Sequence, residues 1–399
     1  MSESRISKRM ARLSPSMTFA MNQLSNDLKA RGIDVVNMSL GEPDFDTPEH
    51  IKSAAVLAMN QGYTHYTPVP GALSLREAIA GKLLKENGLT YKPSEILVSN
   101  GAKQSICNVL MALIDEGDEV IVPTPYWVSY PQMVLLAGGD PVYVETGLSQ
   151  GFKMTPDQLE KAITPNTKML ILCSPSNPTG AVYSQEELEA LAEVILRHEG
   201  LYVLSDEIYE HLNYVGAHAS IASCKGMQER TVLINGVSKA YAMTGWRIGF
   251  IAGPQWVVSA CNLLQGQYTS GPCSVSQKAA EEAWLGPQAC VEEMRQAFLR
   301  RRNLLVSRMS EIPGLEINVP EGAFYLFPKC SSFFGKTDGT KVIRSSTDLA
   351  LFLLEVGHVA VVGGDAFGAP DYFRLSYATS EDKIEEAAKR IANALALLK

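Results

Sequence analysis

From about position 51 to position 253 the chain alternates short apolar runs with longer stretches of mixed polarity. The runs Glu95–Ser99, Glu119–Val122, Pro141–Glu145, Lys168–Cys173, Leu201–Ser205, Thr231–Ile234 and Ile248–Ala252 have strand length, and most are rich in Val, Ile and Leu. That composition is expected of strands buried on both faces. The intervening stretches carry helix-start signals. Ser184 followed by Glu187 forms a capping box, after which Leu188, Leu191, Ala192 and Ile195 share one helical face. Thr155, Pro156 and Gln158 open another helix, with proline at its first position. Strands alternating with helices predict a mostly parallel α/β sheet covered on both faces. The interval from Ile234 to Ile248 leaves little room for a helical crossover, so one strand is expected to run antiparallel.

After about Gly286 the pattern changes. A charged helical stretch, Val291–Ser310, precedes short strands near Phe324–Pro328, Val359–Val362 and Tyr372–Leu375. A last amphipathic helix carries Ile384, Ala387, Ala388, Ile391, Leu395 and Leu398 along one side. This predicts a smaller α+β domain at 289–399, a large domain at 51–288, and an N-terminal arm at 1–50 that packs in part with the small domain.

Length and composition narrow the picture. A chain of 399 residues, 46% hydrophobic, suits two or three domain-sized units with a large core. A net charge of -8 argues against nucleic acid and anionic membranes as partners, leaving room for a local basic pocket around a small anion. The seven cysteines include no CxxC pair and fit reduced thiols in a cytoplasmic protein. No HExxH occurs, so no metal site is expected. No apolar run approaches the ~20 residues that span a bilayer. The N-terminal MSESRISKRMARLSPS lacks a secretory apolar region and is expected to be an exposed arm docking on a partner subunit.

In a parallel sheet, ligands gather beyond the carboxyl ends of the strands. Four polar constellations lie there. Ser174-Pro175-Ser176-Asn177-Pro178-Thr179-Gly180 is an ordinary turn by composition, yet Asn177 could offer its amide to a ligand. In Ser205-Asp206-Glu207-Ile208-Tyr209-Glu210 the adjacent carboxylates are costly to bury unless a cation meets them, although Asp206 could also cap a helix. In the segment from Asn235 to Gly249, Lys239 stands among small and apolar residues. Desolvation there lowers an amine's pKa and makes it nucleophilic toward aldehydes. Arg247, eight residues on, has a fork suited to phosphate. Ser99-Asn100-Gly101-Ala102-Lys103 turns a strand into a helix, whose N-terminus attracts anions; it is not a Walker A loop. Taken alone, the segment from Asn235 to Gly249 would be explained by a snorkelling surface lysine and a structural arginine.

Together, LGEPDFDTPEHI, YTPVPGALSLREAIA, NGAKQ, PTPYWVSYPQMV, SPSNPTGAVY, SDEIYEHL, SKAYAMTGWRIGF, EGAFYLF and FRLSYATS resemble the class I/II aminotransferases of the fold type I pyridoxal-phosphate enzymes. The nearest likeness is to the Thermus-like branch of bacterial aspartate aminotransferases, and it covers nearly the whole chain. The resemblance implies pyridoxal 5'-phosphate held as an imine on Lys239. It implies Asp206 at the pyridinium nitrogen, and Tyr209 and Asn177 at the ring's phenolic oxygen. It implies Arg247 and the backbone of Gly101, Ala102 and Lys103 around the phosphate, Trp127 stacked on the ring, and Tyr66 reaching the phosphate from the other subunit of a homodimer. For the amino-acid and 2-oxo-acid substrates it implies Arg374 on the α-carboxylate, with Gly41, Trp127 and Asn177 close by and Lys103 on the distal carboxylate. Some relatives have a phosphate-binding hydroxyl three residues before the lysine. That position is Gly236 here, which leaves Ser238 as a substitute.

The implied reaction is ping-pong transfer of the amino group of aspartate to 2-oxoglutarate. Prephenate, aromatic and alanine specificities are alternatives within the class. Some relatives that also accept prephenate carry a basic residue just before the Pro-Ser of the arm, where this chain has Ser14, which weakens the prephenate reading without excluding it. A lyase or aminocyclopropane-carboxylate synthase shares the cofactor but needs no keto-acid acceptor. A pyridoxal-binding regulator would carry an added basic DNA-binding domain, and a non-enzymatic scaffold would bind no cofactor.

Overall fold

The protein, as a computed structural model, is described over residues 7–399. A first short strand, β1 (Val36–Asn37), precedes the seven strands of the central sheet: β2 (Ile96–Ser99), β3 (Glu119–Thr124), β4 (Asp140–Glu145), β5 (Thr167–Cys173), β6 (Tyr202–Asp206), β7 (Thr231–Gly236) and β8 (Gly249–Ala252). Their spatial order is β2-β8-β7-β6-β5-β3-β4. Each falls on an expected apolar run. β8 is antiparallel to both its neighbours while the other pairs are parallel, as the short Ile234–Ile248 interval required.

Alternate residues of each strand serve opposite faces, which is why the runs of the inner strands are largely apolar, whereas the edge strand β4 is partly polar and exposed. Leu97, Val120, Val122, Leu204, Val232 and Ile251 pack under the helices Ala102–Leu113 and Gln255–Tyr268. On β5 and β6 the alternate residues Leu170, Leu172 and Val203 pack under Gln185–Arg197 on the opposite face, while Met169, Ile171 and Leu204 join the first cluster. Ile96, Val98, Leu233 and Phe250 meet the helices Leu73–Asn87 and Ser274–Leu285. The Ser184 and Thr155 capping boxes both form.

A second core joins chain segments far apart in sequence. Met21, Val36 and Met38 are buried with Phe298, Leu305, Leu353, Ile384 and Ile391. The run expected as one strand near Val359–Val362 is two: β10 (Val359–Ala360) pairs parallel with β1, and β11 (Val362–Gly363) pairs with β12 (Phe373–Ser376). β12 also pairs with β9 (Tyr325–Leu326). Val361 lies between the two pairings, where the chain leaves one sheet for the other.

The described part of the N-terminal arm docks on its own chain. Arg12 donates to the carbonyls of Gly138 and Gly139 and pairs with Asp140 at 2.7 Å, and Ser14 N donates to Gln132 at 2.8 Å. These contacts tether residues 12–14 of the arm to their own chain, where the Arg12 guanidinium finds three acceptors as Asp140 opens β4. Residues 1–6 lie outside the described residues. All seven cysteines are free, and no helix among the described residues is long and apolar enough to cross a membrane.

Candidate active site

The carboxyl ends of β2, β5, β6 and β7 lie on one edge of the sheet. Because β8 is antiparallel, its amino end lies on that edge too, so the hairpin from Gly236 to Gly249 keeps Lys239 and Arg247 together. Side chains cannot be accommodated at its base. A Cβ at Gly236 would stand 2.7 Å from Ile248 O, and one at Gly249 would stand 2.4 Å from Ala102 N. This explains why no hydroxyl-bearing residue occupies position 236. Above this edge lies a cleft of about 600 Å³, lined by Lys239, Asp206, Arg374, Arg247, Trp127 and Lys103 among others.

Lys239 is partly buried, and its Nζ donates to Gly41 O at 2.6 Å. Burial pulls its pKa down to about 8; the Arg374 and Arg247 cations push the same way, against Glu42 and Asp206. Three acidic side chains, Asp206, Glu207 and Glu210, stand at or just beyond the end of β6, and two have internal cationic partners. Glu207 accepts from Ser205 and Ser220 and meets His218 Nε2 at 2.9 Å. Burial works against charge on His218, but Glu207 raises its pKa. Glu210 is paired with Lys82 and accepts from Asn87 at 2.8 Å and Asn235 at 2.7 Å. Burial alone would raise Glu210, yet the Lys82 ammonium holds it far below the usual carboxylate range. Removing one partner of such a pair strands a buried charge. Lys82→Ala is therefore expected to cost about 3–5 kcal/mol in a urea unfolding series, and a loss under ~1 kcal/mol would show the pair to be of little consequence.

Asp206 differs. It is 3% exposed, yet no cation among the described residues touches it. Its Oδ2 accepts from Tyr130 Oη at 2.6 Å and its Oδ1 from Ile208 N at 3.2 Å. Burial raises its pKa to about 6, countered by those two hydrogen bonds. The carboxylate therefore faces the cleft short of a positive charge.

Across the cleft, Arg374 on β12 is 2% exposed. It donates to Asn177 Oδ1 at 2.9 Å and Ser39 O at 2.7 Å, its Cζ lies 4.5 Å from the centroid of the Tyr325 ring, and its Nε has no partner among the described residues. A buried guanidinium with an orphaned N–H fits a carboxylate that completes its fork. Tyr209 and Tyr325 share a hydrogen bond of 2.8 Å, and burial drives the Tyr209 phenol well above its ordinary pKa, so it serves as a neutral donor.

At the cleft's other end, Gly101 takes φ 82° before the helix Ala102–Leu113 and has no side-chain cap, leaving the N–H groups of Ala102 and Lys103 without acceptors among the described residues. A Cβ on Gly101 would stand 2.2 Å from Arg247 Nη2. Arg247, itself left-handed at φ 59°, is held by the carbonyls of Thr244 and Asn100 at 2.8 and 3.1 Å. A guanidinium, two free N–H groups and a helix N-terminus fit a phosphate. The Lys103 ammonium lies 4.9 Å over the Trp127 ring, and burial lowers its pKa. Ser238 also lines the cleft.

All but one of the singled-out residues thus meet around one space. Tyr66 is 98% exposed and lies outside the cleft of its own chain. Tyr130 and Tyr325 escaped the residue reading, although both stand in quoted segments. A phenol has no spacing signature, and its role shows only in the partner it reaches.

This geometry has a known counterpart. Residues 33–391 match the family model of aminotransferase class I and II, and the chain belongs to that family. Within it the chain is 51% identical over 390 residues to the aspartate aminotransferase of Geobacillus stearothermophilus, covering 97% of this chain and 98% of the relative. It is 47% identical over 395 residues to an aspartate/prephenate aminotransferase of Nitrosomonas europaea, covering 98% and 100%. The solved structure of Thermus thermophilus aspartate aminotransferase with maleate matches with a TM-score of 0.92 at 45% identity, covering 98% of this chain and 99% of that one.

Proposed function

We propose that this enzyme is a pyridoxal-phosphate-dependent aminotransferase that moves the amino group of L-aspartate to 2-oxoglutarate, forming oxaloacetate and L-glutamate. The observation that carries the reading is Asp206, a buried carboxylate lacking a cation, in one cleft with the desolvated amine of Lys239. A protonated pyridine nitrogen supplies the missing charge, and an aldehyde suits the amine. The bound cofactor would act as an electron sink for charge developing at the substrate's Cα.

The chain's own groups then divide the work. Asp206 holds a proton on the ring nitrogen. Arg247, Ser238 and the N–H groups beside Gly101 hold the phosphate; Trp127 covers the ring; Tyr209 and Asn177 donate to its oxygen. Arg374 takes the α-carboxylate beside Gly41, which orients Cα–H, and Lys103 takes the distal carboxylate. Lys239 moves the proton from Cα. Two sets of observations support a homodimer with shared sites: Tyr66 is fully exposed, and Leu57, Leu263 and Tyr268 are apolar yet 56%, 69% and 71% exposed. Core clusters that link Met21 and Val36 to the C-terminal helices support a large unit at 51–288 and a small one built from 1–50 and 289–399. Seven free cysteines suit the cytoplasm.

Borohydride treatment of the loaded protein is expected to leave a phosphopyridoxyl group on the peptide containing Lys239; an unlabelled peptide sinks the proposal. An amino-donor panel with 2-oxoglutarate, and prephenate as alternative acceptor, settles the substrate. The Nitrosomonas relative is named for prephenate as well as aspartate, and the uncharged Ser14 here favours aspartate as the first choice. The pH dependence has a definite sign. Below about 8 Lys239 is ammonium and cannot attack an aldehyde. Cofactor capture by the apoprotein should therefore accelerate by about tenfold between pH 7 and pH 9, followed by stopped-flow absorbance. A rate independent of pH contradicts the assigned nucleophile.

A further inference from the structure

Tyr130 has no role in the account so far, although its hydroxyl makes the shorter of the two hydrogen bonds to Asp206, 2.6 Å against 3.2 Å. Its ring is fixed independently. It is 2% exposed at the start of the helix Ser129–Ala137 and meets the edge of Trp127 at 5.4 Å and 88°. One side chain therefore ties the residue proposed to cover the cofactor ring to the carboxylate proposed to hold its nitrogen.

Asp206 is under pressure to become neutral. Glu207 adjoins it, Cys173 lies near with a thiol that burial keeps protonated, and Lys239 is the cation that opposes this from across the cleft. A neutral carboxyl would not hold a proton on a pyridine nitrogen. The buried Tyr130 phenol cannot ionise at working pH, since burial drives its pKa well above the ordinary value, so it can only donate. Each carboxylate oxygen accepts more than one hydrogen bond, so the donated proton leaves lone pairs free for a ligand.

Resting on the cofactor reading above, we propose that Tyr130 is a positioning residue whose hydroxyl keeps Asp206 ionised and oriented toward the ring nitrogen.

The test is Tyr130→Phe, which deletes one oxygen and keeps the ring against Trp127. Wild type and variant are loaded with pyridoxal phosphate labelled with ¹⁵N in the ring. The ring-nitrogen shift is followed against pH, and the cofactor dissociation constant is measured by equilibrium dialysis. Wild type should keep the nitrogen protonated. The variant should lose that proton at a midpoint lower by about one pH unit or more, and bind cofactor about 10- to 100-fold more weakly, the range for a hydrogen bond to a charged group. Adding Tyr130→Phe to Asp206→Asn should change neither quantity further, because the hydroxyl acts through the carboxylate. A variant that titrates and binds like wild type overturns the inference, as does a full additional loss in the Asp206→Asn background. Wild type that captures no cofactor at Lys239 sinks the functional reading instead.

Discussion

Lys239→Ala is expected to lower the turnover of aspartate with 2-oxoglutarate by at least about 10⁴-fold, the upper range for a single proton-transferring group. The reason is double use of one amine. The same Nζ that captures the cofactor's aldehyde is the group proposed to carry the Cα proton, so its loss cannot be offset elsewhere in the cleft. The other amine nearby, Lys103, is engaged over Trp127. The cofactor's phosphate end should still bind, because Arg247 and the Gly101 turn are untouched. Steady-state rates beside an equilibrium-dialysis measurement separate the two. Residual turnover within tenfold of wild type would remove Lys239 from the chemistry.

Arg374→Ala is expected to reduce kcat/KM for aspartate by about 10²- to 10⁴-fold, the range for truncating one partner of a buried charge pair. The guanidinium is already held at two corners, by Asn177 and Ser39, and stacked on Tyr325, with Phe367 5.0 Å away. Only its free Nε–H and remaining donor capacity await a substrate. Arg374→Lys should rescue little, since an ammonium cannot reproduce a planar fork. A further consequence follows from charge. Arg374 helps depress the Lys239 pKa, so its removal should move the midpoint of cofactor capture to higher pH. An unchanged kcat/KM for aspartate, or an unmoved midpoint, would contradict this assignment.

Much of this was legible in the chain because local rules govern it. Seven largely apolar runs became seven strands, since an inner strand covered on both faces must be apolar at nearly every position. The antiparallel β8 was signalled by a connection too short for a helix. Lys239 and Asp206 stood out as ionisable groups in apolar surroundings, but their roles came from the resemblance of the segments SKAYAMTGWRIGF and SDEIYEHL around them. The pairing of Tyr130 with Asp206 was not, nor those of Lys82 with Glu210 and Tyr209 with Tyr325. Their partners lie 76, 128 and 116 residues apart, and no periodicity links residues on different strands and helices.

The division is thus a physical one. The order of apolar and polar residues, its capping signals and its glycines sufficed for the element types, the parallel sheet and the edge where chemistry gathers, because these depend on neighbours within a few positions. Which carboxylate was left without a cation was decided only in three dimensions. His218 and Lys82 satisfy Glu207 and Glu210 and leave Asp206 open, and that selection depends on desolvation and reach across the folded chain.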